Sequence, residues 1–170
     1  MVLEISCPLS VGLHVGIVAS DGEVLQSQAM AWELKVTRIG DAKLPDYHYN
    51  HDAGLDFYAS IETTLAPGER KQVQTGIAVA IPEGYVGLIW DKSGHSHKRG
   101  LKTLGGVIDS GYRGEVLVGM INLSDVSVTL KKHDSIAQML IQRVEHVEVQ
   151  EVEDLDSTER GIHGFGSKGI

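Results

Sequence analysis

Gln72-Val73-Gln74-Thr75-Gly76-Ile77-Ala78-Val79-Ala80-Ile81 decides the fold. Val73, Thr75, Ile77, Val79 and Ile81 are apolar or β-branched, and they alternate with Gln72, Gln74, Gly76, Ala78 and Ala80. A period of two sends successive side chains to opposite faces of an extended strand. One face then meets a core, and the other meets solvent or a second layer. Val126, Val128 and Leu130 repeat the pattern against Ser127, Thr129 and Lys131. Turn signals fall at Ala66-Pro67-Gly68, Pro82-Glu83-Gly84, Ser93-Gly94 and Ser110-Gly111. No stretch reads as a capped amphipathic helix, apart from a turn or two near Ser135 to Leu140. The chain therefore reads as an all-β sandwich or barrel without internal repeats.

Working outward, 170 residues suffice for one domain with a proper core. Twenty glycines without a collagen period fit many tight turns between short strands. The net charge of −8 argues against whole-surface attraction to nucleic acid or anionic lipid. Even so, Lys92, Lys98, Arg99, Lys102 and Arg113 crowd one short stretch, enough to hold a small polyanion. A single cysteine, Cys7, excludes an internal disulfide and fits a reducing, cytoplasmic setting. No run approaches the roughly 20 apolar residues that span a bilayer. The first Lys or Arg is Lys35, so the start lacks the positive region of a secretory signal.

The two ends differ from the middle. Residues 1–31 hold no Lys or Arg, and Leu13–Ala19 and Val24–Gln28 flank an Asp21-Gly22 pair suited to a hairpin turn. An extra hairpin, a disordered leader and a start-site artefact all stay open there. Residues 32–156 make the core domain. Glu145 to Asp156 holds six acids and no Lys or Arg, and residues 157–170 are glycine-rich around one Phe. Such a tail cannot bury enough surface to order itself.

Three glycine-rich patches carry chemistry: Asp52 to Phe57; Asp91-Lys92-Ser93-Gly94 followed by Gly106 to Gly114; and Arg160 to Gly169. Backbone amides beside glycine can approach an anion closely. Lys92 and Ser93 offer a cation and a hydroxyl at adjacent positions. Arg160 offers a planar donor fork for a terminal phosphate. Phe165, between glycines, suits a base that stacks. Each patch alone also reads as an ordinary turn.

In this order and spacing the patches resemble the five motifs of the trimeric dUTPase family. Asp52 to Phe57 is similar to the first, Asp91 to Gly94 to the second, and Gly106 to Gly114 to the third. Ser135-Ile136-Ala137-Gln138 is similar to the fourth and Arg160 to Gly169 to the fifth. The resemblance covers Trp32 to Ile170. It implies a distorted jelly-roll β-barrel assembled as a homotrimer. Each site would take its third motif from one chain, the first, second and fourth from a neighbour, and the tail from another.

The resemblance also implies dUTP hydrolysis to dUMP and pyrophosphate, which keeps uracil out of DNA. Asp109 would hold the attacking water and accept its proton. Tyr112 would lie under the deoxyribose, and backbone around Gly106, Val107 and Ile108 would read uracil. Lys92, Ser93, Gly94 and Gln138 would hold phosphate oxygens. Arg160, Gly166, Ser167 and Lys168 would close on the γ-phosphate, with Phe165 over the base. Mg²⁺ would sit on the phosphates, reaching Asp56 through water.

Four positions depart from the family pattern. Asp91-Lys92 stands where Pro-Arg is usual, and a Lys loses the bidentate fork. His95-Ser96-His97 replaces a run beginning with Leu, Ser135 replaces a basic residue, and Lys168 replaces Thr. Alternate spacing would put His95 and His97 on one strand face, as in some metal sites, though loop or interface histidines fit better. A related deaminase of the same fold shares Ile108 to Tyr112, but needs a Glu where this chain has Gly119. A third reading adds a protein-binding role for residues 1–31.

Overall fold

The structure, a computed structural model, describes residues 33–164 and the backbone of residues 17–18 and 24–25. Phe165, Gly166, Ser167 and Lys168 lie outside the described residues. The strands are β1 (Ile17–Val18), β2 (Val24–Leu25), β3 (Lys35–Arg38), β4 (Leu55–Tyr58), β5 (Thr63–Leu65), β6 (Arg70–Ala80), β7 (Tyr85–Asp91), β8 (Leu101–Leu104), β9 (Val107–Ile108), β10 (Glu115–Asn122), β11 (Val128–Leu130) and β12 (Ser135–Arg143). Among the described residues one helix, α1 (Ser93–Arg99), interrupts them.

Among the described residues there are two four-stranded sheets, β3-β6-β10-β8 and β4-β12-β7-β9, and two two-stranded pairs, β5-β11 and β1-β2. All pairings are antiparallel. The expected alternation in β6 holds: Val73, Thr75, Ile77 and Val79 are buried, with Ile81 just beyond. Val73, Ile77, Val79 and Ile81 meet Val116, Val118 and Met120 of β10 and Phe57, Ile136 and Met139 of the other sheet in one apolar cluster. Thr75 is buried without cost to its hydroxyl, which donates to the Val116 carbonyl at 2.7 Å. The β1–β2 pair, Ile17 with Leu25 and Val18 with Val24, falls where the Asp21-Gly22 hairpin is expected.

Three expectations need correction. Ser135 to Leu140 is strand, not helix, because Ile136, Ala137 and Met139 are drawn into the core while β4 and β7 pair on either side. Ser93-Gly94, read as a turn signal, opens a helix instead, and His95-Ser96-His97 follows in it. All five residues lie in α1, which ends where Gly100 adopts φ 67° and returns its N–H to the His95 carbonyl. Val126 is 60% exposed, not a core residue. It lies before β11, and its carbonyl accepts from Asn122 at 2.7 Å.

Candidate active site

β4, β12 and β7 lie side by side, and their register sets Asp56 across from Gln138 and Gln138 across from Trp90. Asp56 is only 5% exposed. Its charge is met by Lys92, one residue past β7, whose Nζ lies 2.5 and 2.6 Å from the two carboxylate oxygens. Gly54 makes room for this cluster, since an added Cβ would stand 2.2 Å from Gln138 Oε1. Gln138 Nε2 donates to the Asp91 carbonyl at 2.9 Å. Ser93 and Gly94 follow in the exposed first turn of α1. Asp56, Lys92, Ser93, Gly94 and Gln138 therefore lie together at this end of the sheet.

Asp91, noted in the sequence only as part of a glycine-rich patch and a departure from the family pattern, anchors the end of β7. Its Oδ1 accepts from the Thr103 N–H at 2.7 Å and the Thr103 hydroxyl at 2.8 Å. Its Oδ2 accepts from Lys102 at 2.7 Å. Burial pushes the carboxyl up, but the donors from Lys102 and Thr103 outweigh it and hold it below its usual range. No local pattern flags a contact formed across β8. Arg99, noted only as part of the basic cluster, spans from α1 to the Thr129 carbonyl at 2.6 Å.

The second group forms around β9. The Ile89 N–H donates to the Gly106 carbonyl at 2.8 Å, and Leu88 and Gly87 pair with Val107 and Ile108. A tight turn follows, with the Tyr112 N–H on the Asp109 carbonyl at 3.1 Å. The Tyr112 hydroxyl donates to the Glu115 carbonyl at 3.0 Å. This folds the ring over Gly114, where a Cβ would be 2.4 Å from that hydroxyl. The Asp109 side chain is exposed, and among the described residues its carboxylate accepts no hydrogen bond. A turn-capping role therefore has no contact behind it.

The two groups are held apart. The β7–β9 register continues to place Asp109 beside Val86, near the start of β7, whereas Lys92 follows its end. At roughly 3.3 Å per residue the strand separates them by about 20 Å. Among the described residues no hydrogen bond or ion pair joins them. Arg160 is apart from both: its Nε donates to the His163 carbonyl at 2.9 Å within an exposed turn. Among the described residues, no group of three or more His, Cys, Asp or Glu could hold a metal, and His95 and His97 form no such site.

Geometry of this kind suits proteins that grip phosphate groups and activate water on a β-sandwich frame. The chain belongs to the dUTPase family, whose model matches residues 40–169. It is 43% identical over 140 residues to the deoxyuridine 5'-triphosphate nucleotidohydrolase of Corynebacterium glutamicum, covering 80% of this chain and 94% of that one. The Mycobacterium tuberculosis protein of the same name is 43% identical over 149 residues, covering 82% and 97%. Among solved structures, the dUTPase of Staphylococcus bacteriophage 80alpha with dUPNHPP superposes with TM-score 0.76 at 32% identity, covering 81% of this chain and 99% of that one. A dUTPase of Staphylococcus aureus phage phi11, described with a structural Mg(II) ion, gives TM-score 0.69 at 28% identity, covering 74% and 99%. The fold is the distorted jelly-roll of dUTPases.

Proposed function

We propose that the chain hydrolyses dUTP to dUMP and pyrophosphate at sites shared among three copies of itself. The observation that carries this reading is Asp109, an exposed and unpartnered carboxylate beside Tyr112 in the Gly106 to Gly114 hairpin of a dUTPase-family fold. That carboxylate orients a water and takes its proton as the water oxygen bonds to the α-phosphorus. The bond from the α-phosphorus to the bridging oxygen breaks, and pyrophosphate leaves with that electron pair.

Base selection follows from β9, the edge strand of its sheet. Because the Gly106 carbonyl points at Ile89, strand alternation turns the N–H and carbonyl of Val107 to the open side. One donor beside one acceptor matches the O4 and N3–H of uracil. Cytosine presents the reverse pattern. Tyr112 packs under the sugar and leaves no space for a 2′-hydroxyl. Lys92, Ser93, Gly94 and Gln138 take the phosphates, and residues from Arg160 onward close over them.

The separation of about 20 Å along β7 supports sharing among chains, with Asp109 of one copy and Ser93 of another reaching one triphosphate. The outer face of β10 supports assembly. Leu117 is exposed, and neighbouring Leu104 of β8 is 41% exposed. One chain covers only the Val116, Val118 and Met120 face of the strand.

The donor set bears on the metal. With no cluster of three or more protein ligands among the described residues, Mg²⁺ would be held chiefly by the phosphates, with Asp56 reaching it through water. When bound it neutralises phosphate charge and holds one triphosphate conformer.

Deamination has less behind it. Gly119 leaves no space, since a Cβ there would lie 2.8 Å from the Leu104 carbonyl. Glu115 is already engaged, its Oε1 accepting from the Gly76 N–H at 2.7 Å. A protein-binding role for residues 1–31 falls almost wholly outside the described residues. Among the described residues no helix is long and apolar enough to cross a membrane, and the single cysteine supports a cytoplasmic setting. A panel of dUTP, dCTP, dTTP and UTP with Mg²⁺, scored separately for pyrophosphate and ammonia, tests the reading. Pyrophosphate from dUTP alone is expected. Ammonia from dCTP at a comparable rate contradicts it.

A further inference from the structure

Helix α1 carries Ser93 and Gly94 but buries none of its own residues. Seven residues are too few to be stable alone, so α1 must be held by what it bonds to. Two of its side chains make the connection. Arg99 Nη2 donates to the Thr129 carbonyl of β11 at 2.6 Å, and Arg99 Nη1 reaches His95 Nδ1 at 3.3 Å. His95 Nε2 in turn lies 2.7 Å from the Ser135 carbonyl, at the first residue of β12.

Chemistry fixes the direction of these bonds. A guanidinium can only donate, so Nδ1 of His95 accepts. The ring hydrogen then sits on Nε2 and is donated to Ser135. The result is a polar bridge from β11 through α1 to the start of β12. Three residues further along β12 stands Gln138, tied to the Asp91 carbonyl just before Lys92. The bridge thus closes a ring that includes both Ser93-Gly94 and Gln138.

We propose that His95 and Arg99 are positioning residues that set the spacing between Ser93-Gly94 and Gln138 for a triphosphate. They touch no substrate themselves. This rests on the reading that those three residues hold phosphate oxygens. Its signature is selective: triphosphate binding depends on the bridge, whereas the uracil and sugar contacts at β9 and Tyr112 do not.

The test uses the full-length chain with His95→Ala, His95→Gln and Arg99→Met. Turnover, KM for dUTP, and affinities for dUMP and for a non-hydrolysable dUTP analogue are measured, with thermal unfolding as the fold check. His95→Ala is expected to weaken analogue binding and raise KM by about tenfold or more, since small misplacements at a binding site are costly. Affinity for dUMP should stay within about twofold. His95→Gln, whose amide nitrogen can reach the same Ser135 carbonyl, should recover most of the loss. Arg99→Met should follow the alanine variant, and it carries the test alone if His95→Ala fails to fold.

Equal losses for dUMP and the analogue, an unchanged analogue affinity, or no recovery with glutamine overturns the proposal. The wild-type chain separates the two levels of inference. If it does not hydrolyse dUTP, the functional reading fails. If it does and His95→Ala binds the analogue normally, only the positioning role fails.

Discussion

Lys92 sets its ammonium 2.5 and 2.6 Å from the two oxygens of Asp56, a carboxylate that is only 5% exposed. The pair links β4 to the end of β7 at the point where the phosphate-suited turn begins. Its charge balance gives the first prediction. Lys92→Met strands a buried anion, whereas Lys92→Met with Asp56→Asn removes both charges. Losing one partner of a buried pair costs ~3–5 kcal/mol, and Lys92 keeps some solvent contact, so about 2–3 kcal/mol is expected for the single variant. The double variant should regain most of it. Urea unfolding of the three proteins checks this, and equal losses in the single and double variants would refute it.

Asp91 predicts an acid-sensitive staple. Lys102 and Thr103 hold its carboxyl below the usual 3.8, so the folded chain favours the ionised form. Its contribution is complete above 3.8 and fades as pH falls through the lower folded value. Asp91→Asn keeps an acceptor for Thr103 but gives Lys102 none. A loss of about 1 kcal/mol is expected at neutral pH, shrinking toward pH 3. Denaturant midpoints of both proteins across that range decide it; a difference that grows on acidification would count against the account.

The separation along β7 predicts complementation between dead variants. One chain carries Asp109→Asn and the other carries Ser93→Ala with Gln138→Ala. If a site joins two chains, random mixing in trimers leaves about a quarter of sites with both native halves. Refolding the two chains together should restore turnover toward a quarter of wild type. Activity no higher than the mean of the two variants would place each site within one chain.

The tail gives the fourth prediction. Removing residues 157–170 takes away Arg160 and the glycine-rich run, and among the described residues it removes none of the apolar core. Turnover should fall at least about tenfold, the scale expected when a closing segment is lost, while thermal unfolding stays near wild type. Unchanged kinetics would make the tail dispensable.

The sequence made the strands of the core legible because a period of two is a one-strand signal. Val73 to Ile81 declares its inward face without reference to any partner. Lys92, Ser93 and Asp109 could be singled out as candidates because glycine and charge sit together locally. The sequence misled at α1, where Ser-Gly is as common in turns as at a helix start. It failed at Ser135 to Leu140, where burial by flanking strands overrides a weak local pattern. Asp91 with Thr103 and Arg99 with Thr129 escaped notice because those contacts join residues 12 and 30 positions apart.

Asp109→Asn tests the central claim. Asparagine keeps the shape of aspartate and can support the same turn, but it cannot take a proton from water. Turnover of dUTP and affinity for a non-hydrolysable dUTP analogue are measured on one preparation of folded protein. A fall in turnover of roughly 10²-fold or more, with analogue binding kept or tightened, is the expected result for loss of a positioned general base. Near-normal turnover in Asp109→Asn would contradict the account.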